Sequence, residues 1–83
     1  MTPGVQREVE CLTSLGRVEF GMAFLKFVIR HHEAAIREAE ECLDRAYHTE
    51  LRQLCENIIA TQSAEIEQMR TWLCEWYGEC TTR

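Results

Sequence analysis

Two stretches of this chain repeat their inward residues in alternating steps of three and four, and only the short segment around His48 and Thr49 separates them. That pattern leaves little choice but two long helices folded back on each other. The first seam runs Leu25, Val28, His32, Ala35, Ala39, Cys42 and Ala46, and only His32 breaks its apolar character. The second runs Leu51, Cys55, Ile58, Gln62, Glu65, Met69, Trp72 and Trp76, with Gln62 and Glu65 as its polar members. The spacing predicts helices over 18–47 and 49–77, with Thr49 as N-cap of the second, Glu50 favouring its first turn and Gly78 ending it. Residues 1–16 read as a short lead-in helix, with Val5, Val9 and Leu12 at helical spacing and Gly16 closing it.

So short a turn forces the helices antiparallel, and residues equidistant from it face each other. Centring the turn near 47–49 pairs Ala46 with Leu51, Cys42 with Cys55, Ala39 with Ile58, Ala35 with Gln62, His32 with Glu65, Val28 with Met69 and Leu25 with Trp72. This register sets the polar exceptions of the two helices opposite one another, and two cysteines as well. A shift of one turn would separate both pairs. The expected fold is therefore all-α, a single domain over 1–83. Phe20, Phe24, Phe27, Ile29, Ile36, Ile59, Ile66 and Leu73 fall outside the seams and need cover. Dimerisation of two hairpins into a four-helix bundle is the expected solution, and Trp72, Trp76 and Tyr77 are expected to receive the lead-in helix together with Phe20 and Phe24.

Composition bounds the function. One proline, four glycines and 28% charged residues suit a small helical domain. A net charge of −5 argues against a nucleic-acid partner, which needs a clustered basic face. No apolar run approaches the roughly 20 residues of a membrane span. The opening MTPGVQREVE is too polar for the core of a secretory signal, although a chain shorn of its leader would look the same. Cys11, Cys42, Cys55, Cys74 and Cys80 contain no CxxC pair, so disulfides and an oxidising compartment are the better reading than a zinc knuckle. Cys42 with Cys55 is the favoured staple, and Cys11 with Cys74 or Cys80 the expected second link.

His31, His32, Gln62, Glu65 and Met69 gather on the inward stripe, with Glu38 two turns along. Imidazole is the commonest ligand for late transition metals, Met69 adds a soft thioether and Glu65 a hard oxygen. The bland reading of the same residues is that Glu65 accepts a hydrogen bond from His32 and fixes the bundle's register. A di-iron bundle needs Glu-x-x-His on paired helices, which is absent. A Cys–His nucleophile is disfavoured because Cys42 lies ten residues from His32.

The segments FLKFVIRHHEAAIREAE and IIATQSAEIEQMRTWL resemble the bacterial family called domain of unknown function 305, over about residues 20–77. The match is carried by His31, His32, Ala35, Ile36, Gln62, Glu65, Ile66, Met69, Trp72 and Leu73. The resemblance implies a ferritin-like bundle, commonly secreted or periplasmic, with some members binding copper through Met and His. Where the family places methionines three before the His pair and six after its second member, this chain has Val28 and Glu38, and the residue before the pair, often proline, is Arg30. Glu38 tilts the donor set toward a harder ion.

Together these readings favour a non-enzymatic metal-binding bundle, copper-related, with zinc or iron as alternatives. Its candidate ligands are His31, His32, Met69, Glu65, Gln62 and Glu38. The competing reading is a structural or interaction module without metal.

Overall fold

A computed structural model describes residues 3–80. It consists of three helices, α1 (Pro3–Thr13), α2 (Arg17–Arg45) and α3 (Thr49–Tyr77). Pro3 suits the first turn of α1, where its missing N–H costs nothing. At the other end, the hydroxyls of Thr13 and Ser14 donate to the carbonyls of Glu10 and Cys11 at 2.8 and 2.7 Å, and Gly16 in extended backbone opens α2.

α2 ends at Arg45, two residues short of the predicted limit, because Ala46 turns extended (φ −70°, ψ 134°). His48, not Thr49, occupies the N-cap of α3, and it makes no side-chain capping bond. Thr49 is already helical. The end of α2 is instead capped from α3: Arg52 Nη1 donates to the carbonyls of Leu43 at 2.6 Å and Ala46 at 3.3 Å. A cation at the carbonyl end of a helix is also favoured by the helix dipole. Gly78 terminates α3 in left-handed backbone (φ 71°), as only glycine does without strain, and folds residues 79–80 back along the helix.

The α2–α3 pair is the body of the fold, and α1 packs on α2 alone. The predicted register is observed at two points, the Cys42–Cys55 disulfide and the His32–Glu65 pair. The core is wider than the single seam, however. Its buried centre is Ile29, Ile66, Met69 and Leu73, with Leu25, Val28, Ile36 and Trp72 packed against them. Ile29, Ile66 and Leu73 thus find cover within one chain, and Phe27 is buried on α2 as Leu12 is on α1. A helix face broad enough to pack ridges into grooves buries more than the line of closest approach.

Two expectations are corrected here. The second disulfide is Cys74–Cys80, which the Gly78 turn brings together, and Cys11 is an exposed free thiol on α1. Nor do the aromatics at the end of α3 receive α1. Trp76 stays 59% exposed, stacked on Trp72 with centroids 5.2 Å apart, while Tyr77 lies over Gly21, where a Cβ would collide with its hydroxyl.

At 46 × 31 × 17 Å the molecule is about two helices thick at its thinnest. No described side chain is completely shielded from solvent. So thin a core makes the hairpin staple important. Replacing Cys42 and Cys55 by serine should remove about 3 kcal/mol in the chain-entropy account, which lowers the thermal midpoint by roughly 10 °C or more in a scan followed by circular dichroism.

Candidate functional site

The seam step at position 32 turns the α2 imidazole toward α3, and the matching step at 65 sends the carboxylate back. His32 Nε2 lies 2.6 Å from Glu65 Oε1. The imidazole is largely covered (18% exposed), whereas the carboxylate is half exposed (53%), so the pair sits at a rim rather than in the core. Next to it is an apolar-walled cleft of about 310 Å³ lined by Val28, His32, Glu65, Gln68, Met69 and Trp72. Met69, one turn beyond Glu65, is buried at its base.

The cleft therefore unites three of the six residues singled out from sequence: His32, Glu65 and Met69. The other three stand elsewhere. His31 is exposed and rests against the Phe27 ring at 4.5 Å, because adjacent helical residues point about 100° apart. Glu38 is exposed and borders a different hollow beside the Cys42–Cys55 disulfide. Gln62 is half-buried and does not line the cleft. Three lining residues are not among the candidates: Val28, which precedes His32 by four, Gln68 and Trp72. Their signal was present in the spacing, since Gln68 follows Glu65 by three and Trp72 follows Met69 by three.

Chemically, the cleft offers one imidazole nitrogen, one carboxylate and one thioether around an apolar wall. Among the described residues no three His, Cys, Asp or Glu side chains converge on a point that could hold a metal ion. Thiol nucleophiles are scarce as well. Four of the five cysteines are in disulfides, and Cys11 stands apart from the cleft.

The fold and cleft define a small, disulfide-stapled, all-helical protein whose α2–α3 interface is crossed by two polar side-chain pairs, His32–Glu65 and Glu33–Arg70. The chain belongs to the family described as domain of unknown function (DUF305), whose model matches residues 2–73. The match takes in the lead-in helix, which the resemblance over about 20–77 left out, and stops just before Cys74. Neither a curated protein nor a solved structure matches the chain.

The half-exposed carboxylate limits what the polar pair adds to stability. A double-mutant cycle with His32→Ala and Glu65→Ala, read by denaturant unfolding, should give a coupling energy of no more than about 1 kcal/mol. A coupling several times larger would mean that the pair is desolvated.

Proposed function

We propose that the chain is a non-enzymatic metal-binding module in which one transition-metal ion, copper as first candidate and zinc or iron as alternatives, takes the place of the proton shared by His32 and Glu65. The reading rests on one observation, the convergence of His32, Glu65 and Met69 on a single cleft. Two ligand atoms about 2.0–2.1 Å from an ion in tetrahedral coordination stand about 3.3 Å apart, so the 2.6 Å pair has to open by less than 1 Å to admit one. Histidine nitrogen and methionine sulfur suit copper, and the carboxylate broadens the choice toward harder ions. Three donors leave a coordination position open on the solvent side, which fits binding or carriage of an ion better than a closed structural site. A second copy of the chain packed on this face would be the route by which His31, Gln62 or Glu38 reached the same ion.

The competing reading, a register-fixing polar contact without metal, is favoured by the direct hydrogen bond itself. Titration of metal-free protein with Cu(I), Cu(II) and Zn(II) separates the two. His32→Ala and the volume-conserving Met69→Leu should each weaken binding about tenfold or more, while His31→Ala changes it little. Equal, weak binding by wild type and variants would leave the register contact as the role of the pair. Light scattering on the same samples reads the homodimer, which should form or tighten with metal if the second copy supplies ligands.

A further inference from the structure

On another flank of the α2–α3 seam lies a larger cleft, about 540 Å³, that shares no lining residue with the one at His32. Its floor is made by Ile29 and Leu73, both buried. Lys26 and Arg30 of α2 and Arg70 of α3 stand around it, and the turn after Gly78 contributes Glu79. Three of the chain's nine basic residues thus border one apolar-floored cavity, against a single acidic lining residue, in a protein of net charge −5.

Each cation already has a carboxylate neighbour. Lys26 Nζ is 2.7 Å from Glu79, Arg30 Nη2 is 2.8 Å from Glu8 of α1, and Arg70 Nη2 is 3.1 Å from Glu33. These side chains are 30–58% exposed, and ion pairs so open to water contribute little and exchange readily. Glu8 and Glu33 do not line the cleft. The contacts they accept involve one nitrogen of each guanidinium, which carries five N–H donors in all. An anion entering from the cleft can therefore bond to both arginines without breaking either pair.

We propose that this cleft binds a small amphipathic monoanion of the medium-chain carboxylate class, with its hydrocarbon chain on Ile29 and Leu73 and its head group across Arg30 and Arg70. Glu79, held by Lys26 at the edge of the cleft, opposes the head group by like charge. The cavity volume falls in the range of small-molecule sites, and pairing an apolar floor with a few convergent charges is how such sites select a ligand. Because the family match ends at residue 73, the Glu79 wall and its Cys74–Cys80 tether belong to the part of this chain beyond it.

The test is calorimetric titration of the full, disulfide-intact chain with octanoate, with octan-1-ol and inorganic phosphate as probes of the tail and head alone. Octanoate should saturate one site and bind about tenfold or more tighter than either fragment probe. Arg30→Gln/Arg70→Gln should weaken octanoate about tenfold, and Glu79→Gln should tighten it several-fold by removing the opposing carboxylate. Absence of saturable octanoate binding, equal binding of octan-1-ol, or an unchanged affinity in the arginine double variant overturns the proposal. If that variant does not fold, Lys26→Gln and Glu79→Gln carry the test through exposed side chains: a loss in the first and a gain in the second support the site, and no change in either overturns it.

Discussion

The antiparallel register of α2 against α3 is the constraint on which the rest depends. It is fixed at two levels, by a covalent bond near the turn between Cys42 and Cys55 and by a polar pair farther along between His32 and Glu65. A slip by one helical turn would break the first, strand the second, and move Met69 away from Ile29. The three-residue connection adds its own restraint, because Arg52 reaches back from α3 to the last carbonyls of α2. Turn, staple and polar pair all favour the same alignment, which is how a small helical chain avoids the alternative packings open to any amphipathic hairpin.

The core that this register builds is thin. Ile29, Ile66, Met69 and Leu73 are buried, but each retains some contact with solvent, and Trp76, Leu54 and Tyr47 lie largely outside. A chain of this size gains modest stability from apolar burial alone. Two covalent links compensate, one closing the hairpin and one folding the C-terminal turn onto α3. They also divide the cysteines by role, leaving Cys11 as the free thiol among the described residues.

The same helix geometry sorts the polar residues onto separate flanks. His32 and His31 are neighbours in sequence, yet one meets Glu65 at the seam and the other lies on Phe27. Lys26, Arg30 and Arg70 border a third surface, where the buried Ile29 and Leu73 form the floor. Burial and charge therefore vary around the hairpin over a few ångströms, and two clefts of different character share its walls: one holding an imidazole, a carboxylate and a thioether, the other mainly cationic.

Periodicity in the sequence determined the all-helical class, the two long helices and their register, since helical spacing and a short turn set the polar exceptions of the two helices, and two cysteines, opposite one another. It also located the His32–Glu65 pair and the Cys42–Cys55 bridge. Tertiary structure decided what depends on distances between elements that spacing does not encode. α1 lies on α2 rather than on the aromatic end of α3, so Cys11 stays free and Cys74 closes on Cys80. The breadth of the interhelical contact buried Ile29, Ile66 and Leu73 without a second chain. Side-chain direction, rather than proximity along the chain, reduced six candidate site residues to the three that share a cleft.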